Sequence, residues 1–282
     1  MSSRAYLDHN ATTPLRAEVR EAMVAAFDAF GNPSSIHAEG RAARALIENA
    51  RAKVAALVGA RPEEVIFTSG GSEANALALG APAGGGWHLC VSAVEHPSVL
   101  AGGRFCRESS TVVPVTDDGL IDLVALENEL AKHHVSGRRP LVALMTANNE
   151  TGAIQPVAEG ANLTHAANGI LHTDAVQAAG KVSLRLEDLG ADMMSLSAHK
   201  FGGPKGVGAL ILRQGGAVEP LVKGGGQERR LRAGTENVSG IVGFGVAAEL
   251  AQAELAESAR LASLRDELEA RVKELVPDTV IL

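Results

Sequence analysis

The run ADMMSLSAHKFGGPKG (191–206) passes from an apolar stretch, residues 191–196, through Ser197, Ala198, His199 and Lys200 into a Gly/Pro-rich turn. This pattern reads as a buried strand ending on polar side chains, with the Lys200 amine at its carboxyl end. A lysine there is partly desolvated. Desolvation disfavours the ammonium and lowers its pKa, the condition for Schiff-base formation with a carbonyl compound near neutral pH. A solvated lysine at a strand end is the commoner arrangement, so the other strand ends of the chain decide between the two readings.

Outward from this run, short apolar segments recur at 64–68, 88–93, 111–115, 141–145, 169–174 and 207–212. Helical spacing of apolar residues occupies 15–30, 38–58, 72–80, 97–108, 122–134, 157–168 and 238–276. With the segment at 192–197, the alternation predicts an α/β fold: a mostly parallel seven-stranded sheet flanked by helices, with ligands beyond the carboxyl ends of the strands. The expected division is an N-terminal segment (1–15), a large domain (16–245), and a long helix opening a smaller C-terminal domain (246–282). GAPAGGGW (80–87) reads as a flexible loop rather than a boundary.

Composition narrows the function classes. The 282 residues are 46% hydrophobic and 21% charged, enough for one large core or two domains, and the net charge is −7. Without long basic runs, nucleic acid and anionic membrane surfaces are disfavoured as partners. The first residues lack the apolar core of a signal peptide and no apolar stretch is long enough to span a bilayer, so a cytoplasmic protein is expected. Cys90 and Cys106 form no CxxC or Cys/His pattern, which indicates neither a disulfide framework nor a structural zinc site, and no metal is expected. Cys90 in an apolar strand and Cys106 on a helix face both read as packing residues. His133 and His134 read as a solvated helix end.

The other strand ends carry the chemistry. After 64–68 comes Ser69-Gly70-Gly71-Ser72-Glu73, where glycines and the free N–H groups of a helical turn offer an anion site beside the Ser72 hydroxyl. A plain N-cap by Ser72 fits equally. The loop is neither a Walker A nor a GxGxxG sequence, which argues against nucleoside triphosphates. Glu95-His96-Pro97 ends the next strand, placing an imidazole able to stack on a flat ring or shuttle a proton, or simply to cap a helix. Asn148, Asn149 and Glu150 follow 141–145, where amides orient a ligand oxygen or close a turn. Asp174 ends the segment at 169–174 with Gln177 one turn later. A carboxylate there can keep a heteroaromatic nitrogen protonated or cap a helix. GGGQERRLRAGTENV (224–238) is a basic loop able to offer a hydroxyl and a positive field to a phosphate.

Eight segments in order, YLDHNATTP, GNPSSIHAEG, FTSGGSEANALAL, EHPSV, NNETG, HTDAVQAAGK, SLSAHKFGGPKGVGAL and GGGQERRLRAGTENV, make the chain resemble the cysteine desulfurases of the NifS/IscS type. These are class V members of the fold-type I pyridoxal-phosphate enzymes. The resemblance implies that Lys200 carries pyridoxal 5'-phosphate and that His96 stacks over the ring and helps move protons. It implies Asp174 at the pyridinium nitrogen, Gln177 at the ring hydroxyl, and Gly71, Ser72, Ser197 and His199 at the phosphate. Thr235 would reach the phosphate of a neighbouring subunit in a homodimer, and Asn149 would touch both the cofactor and the substrate carboxylate. Ser72 stands where relatives usually have Thr and keeps the hydroxyl. The implied reaction takes L-cysteine to L-alanine and passes sulfur, through an enzyme persulfide, to an acceptor or scaffold protein of iron–sulfur cluster assembly. A selenocysteine lyase, an aminotransferase and a non-catalytic protein with the same fold are the alternatives.

The chain departs from these relatives at its end. Their nucleophilic cysteine lies on a Ser/Gly-rich loop of a C-terminal small domain, followed by a substrate-binding arginine, and neither segment is present. VPDTVIL (276–282) reads as the first strand of that domain. The expectation is therefore a truncated chain with little or no desulfurase activity, an unpaired strand edge and poor solubility.

Overall fold

A computed structural model describes residues 5–80 and 86–281, leaving the side chains of 134–136 aside. Most of the loop at 80–87, and the side chain of His134, thus fall outside the described residues. Among the described residues seven strands form one sheet: β1 (Val65–Thr68), β2 (Trp87–Ser92), β3 (Ser110–Val113), β4 (Arg139–Ala143), β5 (Ile170–Asp174), β6 (Met193–Ser197) and β7 (Gly208–Leu212). Their order is β1-β7-β6-β5-β4-β2-β3, and only β7 runs against its neighbours. The mostly parallel seven-stranded sheet expected from the alternation is therefore present.

Among the described residues eight helices accompany it: α1 (Ala17–Ala26), α2 (Ala38–Leu57), α3 (Gly71–Ala78), α4 (Pro97–Leu100), α5 (Leu123–Ser136), α6 (Val157–Ala166), α7 (Val238–Ala253) and α8 (Ser258–Leu275). Successive strand residues point to opposite faces, so each face builds its own core. Val65, Phe67, Cys90, Val142, Leu171, Met194 and Ile211 pack with α2, α5, α6 and α7. Ile66, Leu89, Val91, Leu141, Met193 and Leu210 pack with α3 and α4. Burial on both faces is why these strands read as continuous apolar runs.

Several expectations need correction. The helix expected over 97–108 stops at Leu100, because Gly102 and Gly103 adopt φ +76° and +57° and a Cβ at Gly103 would lie 2.5 Å from Leu79 Cβ. Cys106 consequently precedes a short 3-10 turn and is exposed rather than packed on a helix. The helix expected over 238–276 breaks at Leu255–Glu257 and bends by 51°. There α7, rich in buried small residues, gives way to α8, which buries none, while Arg16 grips Glu254 at 2.6 Å and 2.5 Å.

The terminal run forms no strand: residues 276–281 are turn and coil with no ladder partner among the described residues. Exposed apolar side chains line α8, at Leu261, Leu264, Leu268 and Leu275, and continue into the terminal run at Val276 and Val280. His133 is not solvated. It is buried, stacks on His88 and meets Glu129. Burial, with His133 beside it, pushes the His88 imidazole down to about 4.

Candidate active site

A cavity of about 340 Å³ opens where β1, β2, β4, β5 and β6 end. Its wall brings together Gly71, Ser72, His96, Asn149, Asp174, Gln177, Ser197, His199 and Lys200, from segments up to 130 residues apart. Thr235 is not in that wall. Asn10, Ala11, Asn75, Ser98, Met145, Glu150 and Val176 complete it.

Lys200 follows β6 in a 3-10 turn and is partly buried. Its ammonium donates to the carbonyl of Asn10 and, at 3.2 Å, to that of Ala11. Burial lowers its pKa, while the Asp174 and Asp8 carboxylates pull the other way. The N-terminal segment thus closes the site. Asn10 O also accepts from Gln177 Nε2 at 2.9 Å, and Asn10 Oδ1 from Lys181 Nζ at 2.9 Å. Thr13 N and Oγ1 donate to His199 O at 2.9 and 2.8 Å. In the sequence DHNATT is dense in polar residues and lacks any helical or strand period.

Asp174 ends β5 at 5% exposure. Oδ2 accepts from Asn75 Nδ2 at 2.7 Å and Oδ1 from Val176 N at 2.9 Å, so the carboxylate closes a tight turn while facing the cavity. Burial raises its pKa against these two hydrogen bonds. A buried carboxyl in that state accepts a cationic partner readily. Asn75 Oδ1 is buried with no hydrogen-bond partner among the described residues.

Behind Asp174 lies Glu95, the residue before His96 just past the end of β2. Its Oε1 accepts from Met145 N and its Oε2 is buried without a partner. Burial first, and the Asp174 charge second, push its pKa up to about 8. The folded chain therefore keeps a proton that the unfolded chain releases near the ordinary value of 4.5. Stability owed to this group is present below 4.5 and is lost as pH rises to about 8. Glu95→Gln mimics the protonated form. Urea unfolding of the cofactor-free chain should show wild type losing ground to this variant by about 1.4 kcal/mol per pH unit within that window. A difference between the two proteins that is independent of pH would contradict the assignment.

His96 both caps α4 and faces the cavity: Nδ1 accepts from Ser98 N at 3.1 Å and pairs with Ser98 Oγ at 2.7 Å. On the other side, α3 begins at Gly71 without any side-chain cap. Ser72 is exposed and makes no side-chain hydrogen bond among the described residues, so it is not the N-cap. The first-turn N–H groups are left for an anion. Gly71 is required by close approach, since a Cβ there would lie 2.8 Å from Val176 Cγ2 and 3.4 Å from Ser197 Cβ. His199 is held by Thr12 Oγ1 at 3.1 Å, and burial, with Lys200 and Lys205 nearby, lowers its pKa. Asn149 lies on a turn pinned by Asn148, with its Nδ2 on Glu150 Oε1 at 2.6 Å.

The profile of the class-V aminotransferases matches residues 5–281. The chain belongs to this family. Among class-V aminotransferases it is 44% identical to a cysteine desulfurase IscS of Dictyoglomus turgidum, over 100% of this chain and 72% of that protein. A solved NifS-like protein of Rickettsia africae superposes with a TM-score of 0.88 at 36% identity, covering 95% of this chain and 75% of that one. A structure of SspA in complex with cysteine superposes at 0.78, with 36% identity, over 87% and 72% of the two chains. The fold is thus that of the NifS-like, fold-type I class-V enzymes, which depend on pyridoxal phosphate.

The donor set of this class-V site fits that cofactor. A lysine with a depressed pKa, a buried carboxyl open to a cation and an uncapped helix start surround one cavity. Those are the demands of an aldehyde, a protonatable ring nitrogen and a phosphate, in that order.

Proposed function

We propose that this site holds pyridoxal 5'-phosphate on Lys200 and converts L-cysteine to L-alanine, giving the sulfur to a thiol acceptor. The observation that carries the reading is Lys200 with a lowered pKa sharing one cavity with buried Asp174 and the open start of α3. The relatives named cysteine desulfurase, and a neighbour in complex with cysteine, support the choice of substrate.

When bound, the cofactor supplies an electron sink for negative charge developing on the substrate. Lys200 holds it and moves protons at the substrate Cα. Asp174 keeps the proton on the ring nitrogen. Asn75 and Val176 N fix that carboxylate in place. His96, oriented through Nδ1 by Ser98, would stand against the ring and carry a proton. Gly71, Ser72, Ser197 and His199 take the phosphate oxygens. Gln177, here bonded to Asn10 and Lys181, would hold the ring hydroxyl, and Asn149 would serve the cofactor and the substrate carboxylate. Thr235, outside the cavity of its own chain, serves that of a second copy in a homodimer. Exposed Leu7, Phe27, Phe30 and Ile36 support such a contact.

Sulfur leaves to a thiol from outside this cavity, because neither cysteine lines it. Burial pushes the Cys90 thiol up to about 12, and thiolate is the reactive form. Turnover by the chain alone is therefore slow. The setting proposed is the cytoplasm, where the two free thiols stay reduced. The acceptor proposed is one of iron–sulfur cluster assembly, supported by the relatives named IscS.

Incubating the cofactor-loaded chain with L-cysteine and dithiothreitol should yield L-alanine. A keto acid in its place would make the protein an aminotransferase, and alanine from selenocysteine alone a lyase of that amino acid. Asp174→Asn should weaken cofactor retention by about 1–3 kcal/mol, roughly 5- to 150-fold, by loss of a charge-assisted contact. The same change should leave the cofactor-free chain no less stable, since it removes a buried carboxyl. Unchanged retention in equilibrium dialysis would remove Asp174 from the role.

A further inference from the structure

At the start of β2, the end remote from His96, a second group of chemistry-bearing side chains meets. His88 faces Glu129 and His133, which stand one turn apart on α5. The two imidazoles stack with centroids 3.9 Å apart and planes 26° from parallel. Glu129 Oε1 lies 3.0 Å from His133 Nε2 and accepts from Thr111 Oγ1 at 3.1 Å; that hydroxyl is 2.8 Å from His88 Nε2. One ligand atom from each of the three residues lies within 4.8 Å of the others. Both histidines are buried, and the catalytic cavity uses none of the three.

Two imidazoles and a carboxylate gathered at the edge of an otherwise apolar core are a costly way to fill space. The same set is the ligand set of a zinc site with three protein ligands and an open fourth position. Bonds of about 2.0–2.1 Å put tetrahedral ligands about 3.4 Å apart. Closing from 4.8 Å needs movement of the order of an ångström, within reach of side-chain rotation on α5. Thr111 supplies the outer hydrogen bond that orients such ligands. Two cations oppose a metal: Lys132 Nζ is 2.7 Å from Glu129 Oε2 and Arg138 Nη1 is 3.5 Å from His88 Nδ1. Both belong to exposed residues and can swing into solvent.

We propose that His88, Glu129 and His133 bind a divalent transition-metal ion of the zinc class, fastening α5 to the β2–β3 edge of the sheet. The sequence reading, guided by cysteine spacing, indicated no metal because the strand ligand lies 41 residues before a Glu-x-x-x-His pair that only the fold brings to it.

Titration of the purified full chain with Co2+, a coloured substitute for zinc, tests this. A visible ligand-field band in difference spectra should saturate at one equivalent, Zn2+ should displace it, and Zn2+ should raise the melting temperature. His88→Gln and His133→Gln, verified as folded by circular dichroism, should each weaken binding at least tenfold and lose the Zn2+-dependent rise. His165→Gln, an exposed histidine elsewhere, should keep both signals. If His88→Gln does not fold, Glu129→Gln takes its place. No band with the folded wild-type chain, or a band that survives the ligand substitutions, overturns the proposal.

Discussion

Lys200→Ala is expected to cut L-alanine formation from L-cysteine by at least about a thousandfold, since both the covalent anchor and the proton carrier are lost. The cofactor then stays only through the phosphate contacts and Asp174, so it should dialyse away far faster. Borohydride reduction of the wild type should fix the vitamin to the peptide carrying Lys200, read by mass spectrometry. One rival amine sits close. Lys181 has its pKa lowered to about 8 by burial first and by Lys200 second, and its Nζ lies 2.7 Å from Gln177 Oε1. It does not line the cavity, so no adduct is expected on its peptide. Activity of Lys200→Ala within tenfold of wild type, or an adduct on Lys181, would remove Lys200 from the centre of the reaction.

Glu228→Ala should cost about 3–5 kcal/mol of stability by stranding a buried charge. Arg51 and Glu228 form a two-pronged pair, both contacts at 2.8 Å, with side chains 5% and 3% exposed. The pair is stitched into β1 through Arg51 to Val65 O and Phe67 N to Glu228, each at 2.8 Å, and the Arg51 guanidinium lies over the Phe67 ring. It also holds Glu228, Arg229 and Arg230 in left-handed backbone, at φ +42°, +55° and +68°, a conformation that costs about 1–3 kcal/mol per residue. Without it the loop leading to Thr235 loses its anchor. The melting temperature should fall by on the order of 10 °C. Arg51→Met combined with Glu228→Leu should recover much of the loss, because no charge is then left unpaired. A fall of under about 1 kcal/mol in the single variant would show that water reaches the pair.

Neither the pair nor the left-handed run was legible beforehand. GGGQERRLRAG reads as a basic loop, and its acidic member matters only because Arg51, 177 residues earlier, lies beneath it. Glu95 was likewise passed over: its chemistry comes from burial beside Asp174, which no local pattern encodes. The expected helix at 97–108 was longer than the one formed, although the Gly102-Gly103 pair that ends it was in plain view.

What the chain order alone determined was the set of strands, the mostly parallel sheet and the strand-end residues that line the cavity. Each is a local property, a run of apolar residues terminated by polar ones, and parallel strands present their carboxyl ends together. Tertiary structure alone decided the rest: β7 reversed between β1 and β6, Asn10 and Ala11 closing over Lys200, and Asn75 gripping Asp174. The reason is physical. A pKa or an ion pair depends on which groups are excluded from water together, and that exclusion exists only once distant segments are packed.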